Sequence, residues 1–408
     1  MEITTRPIRE DEALTFRAAV SAGFGDDFDG TIMPEEWFFE LFPRDRTVAA
    51  FDGDAMVGTL GAFPFDVTVP GGGSVPMAGT TVVTVAPTHR RRGVLTVMMR
   101  DHLLDTIARN EPLAGLWASE SIIYGRYGFG VATENEEVDI EQGRAAVEGS
   151  TGMIRLVDVE EARGVFPALY DEMRVRIPGM LTRNAAAWKI DVFFDPEKRR
   201  PGGFSSRRYL LHETDGIPDG YAIYRQKGDW SGAFPDGKIR IREIITASSA
   251  AHTGIWRFLM NIDLFPNVHY WNMPVGDPLR WKVPDHRRIT RKRLDALYLR
   301  ILDVPTALEA RGYAADGTLL LAIEDEFLPE CGGSFALGVT EGIGTCRGTD
   351  EKAIDLTLGA AELAALYLGG GDAHAMAEAG LVRGDQDSVT LLGRMFRGDV
   401  APWCEDMF

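Results

Sequence analysis

Thr80-Thr-Val-Val-Thr-Val-Ala-Pro-Thr-His-Arg-Arg-Arg-Gly-Val-Leu95 reads as a strand, a basic turn and the start of a helix. Thr81, Val83 and Val85 alternate with Val82 and Thr84 in a β-branched run, which suits a strand buried on both faces, and Pro87 stops it. Beyond the turn, Leu95, Met99, Leu103 and Ile107 recur at helical spacing, with Arg100, Asp101, Asp105 and Arg109 on other faces. Arg90, Arg91, Arg92 and Gly93 form the junction. Free N–H groups at a helix start attract an anion, Gly93 lets the main chain approach it, and three guanidinium groups add charge and forked donors. The combination suits a pyrophosphate. Basic residues at a helix start oppose its dipole, so the placement is unfavourable unless an anion or a carboxylate offsets it. Taken alone, the run reads as well as a solvated charge cluster before an amphipathic helix.

The rest of the chain bounds the choice. Its 408 residues exceed one core, and at roughly 150 residues per domain they imply two to four domains, three being the expectation. Lys plus Arg number 43 against 61 Asp plus Glu, a net charge of −18. That balance disfavours nucleic acid and anionic membrane as partners and would attract a cationic substrate, although solubility alone also explains it. Cys331, Cys346 and Cys404 are sparse and show neither a disulfide framework nor metal-ligand spacing, so reduced cysteines in a cytoplasmic protein, with no metal, are expected. The N-terminal residues carry no apolar leader, and no run of 18 apolar residues occurs.

Residues 1 to about 150 read β-α-α-β-β-β-α-β-α-β, beginning with a strand at Ile3 to Ile8 and a helix at Asp11 to Ala22. An acidic and aromatic segment follows, Phe24-Gly-Asp-Asp-Phe-Asp-Gly30, then Pro34-Glu-Glu-Trp-Phe-Phe-Glu40, where Pro34 fits the first turn of a helix. Carboxylates beside aromatic rings are what a polyamine-binding wall needs; a solvated loop and a packed helix are the simpler account. A hairpin across Asp52-Gly-Asp-Ala55, a strand at Phe65 to Val69, a turn at Pro70-Gly-Gly-Gly73 and a further strand at Leu113 to Ser119 complete this part.

The strand at Leu113 to Ser119 leads into Ser121-Ile-Ile-Tyr-Gly-Arg-Tyr-Gly-Phe-Gly130. Together with the Arg-x-x-Gly turn some thirty residues earlier, this stretch resembles the GNAT acyltransferases. In that superfamily the strand before the basic turn splays from its neighbour and the pantetheine arm of acetyl-CoA bonds there like an added strand. Leu95 stands where the superfamily has Gly or Ala, a departure that points to a subfamily. Val85-Ala-Pro-Thr-His-Arg-Arg-Arg-Gly-Val-Leu95, Ala118-Ser-Glu-x-x-Ile-Tyr-Gly-Arg-Tyr-Gly-Phe-Gly130 and Val304-Pro-x-Ala-Leu-Glu-Ala-Arg-Gly-Tyr313 together look like the enhanced-intracellular-survival family of actinobacteria, end to end.

The resemblance implies an α+β chain: a catalytic GNAT domain over 1–150, a degenerate GNAT domain over 151–297 and a sterol-carrier-protein-like domain over 298–408 whose C-terminus completes the active site. It also implies a homohexamer that acetylates several amines of aminoglycosides. Acetyl-CoA would be the cosubstrate, held by Val83, Val85, Arg90, Arg91, Arg92, Gly93, Leu95, Thr96 and Ser119. The middle segment agrees: Ile239 to Ile245 reads as a strand and Ile255 to Ile262 as a helix, but the turn over 246–254 carries no arginine, so no cofactor is expected there. In the last part, strands are expected at Thr318 to Ile323 and Phe335 to Val339, and a helix at Ala360 to Tyr367 closed by Gly369-Gly-Gly371.

Amine acetylation needs a neutral nucleophile, a polarised thioester carbonyl and a proton for the departing thiolate. A thiol of pKa about 8.5 can take that proton from a phenol of pKa about 10. Tyr124 matches the family's general acid, with Tyr127 as its near rival and a core aromatic as the plain alternative for either. The family uses the C-terminal carboxylate as base, here Phe408. A free α-carboxyl of pKa about 3.5 is a poor match to an ammonium, so it acts through water or is raised by its site; a frayed chain end is the ordinary alternative. Asp26 and Trp37 match acidic and aromatic positions of the family's substrate site, and Glu405 falls near its terminal acidic position. Trp117 stands where a smaller polar ring is expected, and Met407 where an acidic residue is, so acceptor contacts differ there. Two other readings share these residues: protein-lysine acetylation, and acyl-CoA or lipid binding without turnover.

Overall fold

The computed structural model describes residues 3–41, 43–141, 147, 149 and 152–408. They form two compact units: the chain up to Thr133 with Pro178–Ala186 and Ala296–Phe408, and Glu134–Ile177 with Ala187–Asp295.

The first unit is built on a seven-stranded sheet. Strands β1 (Ile3–Arg6), β2 (Ala49–Asp52), β3 (Ala55–Thr68) and β4 (Ser74–Val85) pair antiparallel in turn. Strand β5 (Leu113–Trp117) runs parallel to β4, Leu297–Ile301 pairs antiparallel with β5, and the short β6 (Gly130–Val131) closes the edge. The helices of this part are α1 (Ala13–Phe24), α2 (Glu35–Leu41), α3 (Val94–Ala108) and α4 (Ser121–Tyr124). The expected hairpin at 52–55 is the β2–β3 turn, and Pro34 immediately precedes α2.

Two local readings need correction. On α3 the buried residues are Val94, Met98, Met99, His102, Leu103 and Thr106, while Leu95 is half-buried and Ile107 exposed, so the core-facing stripe sits about one residue from the expected one. Polar His102 belongs to that face because Thr80 Oγ1 lies 2.8 Å from its Nε2. Second, Thr81, Val82, Val83 and Val85 are only half-buried. The end of β4 is therefore open on one side.

His102 is fully buried, and that burial, followed by the nearby Arg46 charge, lowers its pKa to about 4. A depressed folded-state pKa means that the unfolded chain binds more protons below pH about 6.5. The stabilisation is complete above pH 6.5 and is lost as pH falls towards 4, at up to ~1.4 kcal/mol per pH unit. Urea unfolding at pH 7 and pH 5 should show a larger acid loss in the wild type than in His102→Gln, by about 2 kcal/mol; equal losses would contradict the buried neutral imidazole.

Hydrogen bonding cuts across the contiguous spans 1–150, 151–297 and 298–408. Strand β7 (Glu134–Glu141) lies in the second unit's sheet between Ile289–Asp295 and Asn267–Pro274. Leu297–Ile301 belongs to the first sheet, and Pro178–Ala186 lies along β3, with Thr68 N bonded to Met180 O at 2.9 Å and Asp66 N to Thr182 Oγ1 at 2.9 Å. In the second unit Ser248 Oγ caps helix Ser249–Leu259 by accepting from Ala251 N at 3.0 Å. Most of the segment read as a turn over 246–254 is therefore helix; the Ser N-cap moves its start ahead of the apolar residues.

The C-terminal part is a five-stranded sheet, Ile343–Gly348, Gly333–Thr340, Gly317–Glu324, Leu356–Gly359 and Val382–Gly384 in spatial order, with helix Ala360–Tyr367 where expected. Its apolar face is continuous with the first sheet: Val67, Met77, Leu113 and Leu299 share one core with Leu319, Leu337, Leu363 and Leu392. Arg311, buried in the third sequence motif, donates to Tyr367 O at 2.6 Å and Phe396 O at 3.0 Å, so it closes two helix ends. Arg300 on the first sheet is fully buried and pairs with Asp325. Asp325 also accepts from Phe327 N and Leu328 N, holding Phe327 against the Tyr127 ring, 4.9 Å between centroids. Asp325→Ala strands a buried guanidinium and should cost about 3–5 kcal/mol. Denaturant midpoints measure it, and a loss under ~1 kcal/mol would count against the pair's structural weight. Among the described residues, no helix is long and apolar enough to cross a membrane.

Candidate active site

The site begins where β4 leaves β5. Their parallel pairing covers only Met77–Gly79 opposite Leu113–Gly115, although both strands continue. On the other side of β4 a bulge sets Val82 and Val83 against the single residue Leu60. Val82 takes a left-handed φ of 48°, costly for a β-branched residue. Thr59 holds the bulge, its Oγ1 donating to Val82 O at 2.8 Å and lying 2.7 Å from Thr84 Oγ1. The bulge bends the strand outward, and Thr80–Val85 has main-chain groups free to take an added strand. Val83 and Val85 pack partly against the cluster of Val94, Met98 and Tyr124.

The arm ends in the basic turn. Arg91 and Gly93 have left-handed φ values of 62° and 82°, and a Cβ on Gly93 would meet nothing within 4 Å. Gly93 is the N-cap of α3 and no side chain caps the helix, so its first-turn N–H groups have no partner inside the helix. Arg90, Arg91, Arg92 and Thr96 are exposed and Leu95 half-buried. An αL turn feeding an uncapped, solvent-facing helix start is an anion cradle. Thr96 Oγ1 lies 3.2 Å from Tyr127 OH, so its hydroxyl is already engaged and its N–H is the group left for a ligand.

Tyr124 ends α4 with 5% of its surface exposed. Burial raises its pKa, opposed by a hydrogen bond with Ser119 and reinforced by Tyr127 and Glu120. It is a phenol kept protonated beside the open fork. Tyr127 turns its hydroxyl to Thr96 and packs edge-on against Phe327. The two tyrosines, both buried in one cluster, thus differ in the partner of the hydroxyl: Ser119 for Tyr124 and Thr96 for Tyr127.

The chain's last residues reach the same fork. The Phe408 ring stands 5.0 Å from Phe65 and 5.9 Å from Phe63. A Cβ on Gly79 would lie 2.5 Å from Phe65 Cδ2 and 3.1 Å from Phe408 Cε2, so glycine is required where β4 and β5 part. Trp117 Nε1 donates to Asp406 O at 2.8 Å, which places Trp117 under the tail. Arg183, its side chain 2% exposed, donates from Nε to Asp406 Oδ1 at 2.8 Å and Oδ2 at 3.1 Å. Trp403 N bonds to Pro178 O at 2.8 Å, and Trp403, Cys404 and Glu405 are buried. The segment is anchored, not frayed.

Sequence reading missed Gly79, Phe63, Phe65, Arg183 and Asp406; only the acidic pair Glu405-Asp406 gave a signal. Of the residues it selected, Val83, Val85, Leu95, Ser119, Tyr124, Trp117 and Phe408 gather along the fork and its end. Glu405 lies within the buried tail, so Asp406 is the tail carboxylate whose partner is visible. Asp26 is exposed just after α1, its N–H bonded to Ser21 O at 2.9 Å, and Trp37 is half-buried on α2. Helix α1 packs on the arm near Asp26: a Cβ on Gly23 would overlap Thr84.

A splayed parallel pair, a bulged arm and an anion cradle at the next helix define a GNAT N-acetyltransferase, whose fold implies acetyl-CoA as acyl donor. Family models agree: an acetyltransferase (GNAT) domain matches residues 4–132, a second one 179–301 and a sterol carrier protein domain 304–405. The chain is 37% identical to an uncharacterized N-acetyltransferase of Streptomyces avermitilis over 99% of both chains, and 36% identical to N-acetyltransferase Eis of Mycobacterium tuberculosis over 92% of both. The crystal structure of Eis1 from Mycobacterium abscessus superposes with a TM-score of 0.87 at 27% identity, covering 99% of this chain and 100% of that one. The chain belongs to the Eis family of GNAT N-acetyltransferases and is an enzyme that transfers acetyl groups to amines.

Proposed function

We propose that the acceptors are polycationic small molecules, aminoglycosides among them, acetylated at more than one position. The supporting observation is the fork itself, where the Phe408 segment meets the β4 arm in a chain of net charge −18. In this reading Val83 and Val85 border the pantetheine arm, Arg90–Arg92 and the N–H groups from Gly93 to Thr96 hold the pyrophosphate, and Ser119 with the N–H near Val83 holds the thioester end. Tyr124 gives its proton to the departing thiolate, and the Phe408 carboxylate takes one from the amine, through water. Asp26, Trp37, Trp117 and Glu405 shape the acceptor side.

The enzyme works as a homohexamer in the cytoplasm, where its three buried free cysteines stay reduced. Thiol release from acetyl-CoA with a panel of aminoglycosides, followed by mass spectrometry of the products, tests the acceptor class. Products carrying two or more acetyl groups are expected; no thiol release with any amine would sink the reading. Light scattering tests the assembly against the 44.9 kDa chain.

A further inference from the structure

The second unit contains a cavity of about 480 Å³ that acetyl transfer does not use. It is walled by the end of strand Met153–Val157, the start of helix Val159–Arg174 and residues 193–209. Arg163, Arg200, Arg207 and Arg208 line it against only two carboxylates, Asp158 and Asp195.

Both carboxylates are already committed. Asp158 caps the helix, accepting from Glu161 N at 2.8 Å. Asp195 accepts from Arg207 N at 2.9 Å and pairs with Arg225, which stands outside the lining, while Arg200 Nε lies 3.6 Å away. The Arg207 guanidinium donates to the carbonyls of Val192 and Phe194 rather than to a carboxylate. Burial above all, then repulsion from Arg242 and Arg225, lowers Arg207 to about 10. Arg163 pairs with exposed Glu160, a contact of little energetic weight. In a chain of net charge −18 this is a local inversion of sign. Exposed Leu156 with the Phe193 and Tyr209 rings supplies an apolar side.

We propose that this cavity binds a small-molecule phosphate ester, its phosphate gripped among Arg163, Arg200, Arg207 and Arg208 and its body resting on Leu156, Phe193 and Tyr209. Guanidinium forks suit phosphate oxygens, and the aromatic and aliphatic wall suits a base or another flat group. The site is separate from the Arg90–Gly93 turn in sequence and in fold.

The full chain, saturated with coenzyme A so that the basic turn is occupied, is titrated calorimetrically at low salt with AMP and with inorganic pyrophosphate. Saturable binding of one equivalent is expected, with an increase in Tm. Arg208→Gln on the lining strand and Arg163→Gln on the lining helix, each checked by its unliganded Tm, should weaken it on the order of ten-fold. AMP binding tighter than pyrophosphate supports the apolar wall. No saturable binding of either probe, wild-type affinity in both variants, or binding abolished by coenzyme A would overturn the proposal.

Discussion

Tyr124→Phe lowers kcat for amine acetylation on the order of 10²–10⁴-fold, the range for loss of a positioned general acid, with KM for acetyl-CoA little changed. The split follows from the geometry: the substitution touches neither the β4 arm nor the Arg90–Gly93 turn, and it removes only a phenol proton. Stability should fall by only about 1 kcal/mol, the worth of the bond to Ser119. The rival makes the control. Tyr127→Phe loses a 3.2 Å contact with Thr96 but keeps its packing on Phe327, so kcat should stay within a few-fold. The pH profile adds a second readout. Burial raises the Tyr124 pKa, so the acid form persists above the ordinary phenol value of about 10, and wild-type kcat should not show a Tyr limb below that pH. Ser119→Ala removes the hydrogen bond that favours the phenolate and should move that limb further up. Equal kcat in Tyr124→Phe and the wild type would remove Tyr124 from the chemistry.

What the sequence made legible was local and chemical. The Arg90–Gly93 turn before α3, the Tyr124 stretch and the helix at Ala360–Tyr367 are each specified within a few residues by charge, glycine and apolar period. Pairing across long separations was not legible. Nothing near Pro178 announces that its segment lies along β3, and nothing near Leu297 announces that it joins β5, because hydrogen-bond partners over such distances leave no periodic trace. The Val82 bulge is hidden for a different reason: a β-branched run gives no warning of a positive φ, and only the register with β3 reveals it. Gly79 was missed because it matters through Phe65 on the paired strand and Phe408 at the chain's end, and Arg183 because its partner Asp406 is more than two hundred residues away. His102 drew no reading from the sequence, because its meaning lies in its pairing with Thr80.

Removing Phe408 lowers kcat about 10²-fold while Tm falls only modestly, because the ring is half-buried and its apolar contacts amount to about 1–2 kcal/mol. The argument is positional. A residue step spans ~3.5 Å, and a misplacement of about 1 Å in a reacting group is enough for a loss of that order. The tail is set by three grips: Trp403 N on Pro178 O, Trp117 Nε1 on Asp406 O, and Arg183 Nε on the Asp406 carboxylate. Arg183→Lys keeps the charge but loses the Nε–H that holds the Asp406 carboxylate, so it should cost kcat on the order of ten-fold with KM for acetyl-CoA unchanged, and more severe substitutions should also lower stability, since Asp406 would lose its buried partner. Phe408→Tyr keeps both the ring and the chain length, and should retain most of the activity. A merely structural tail predicts the opposite pattern, in which kcat follows Tm across all three variants. A truncated enzyme with wild-type kcat would show that the proton leaves the amine by another route, with Asp26 the next carboxylate to replace.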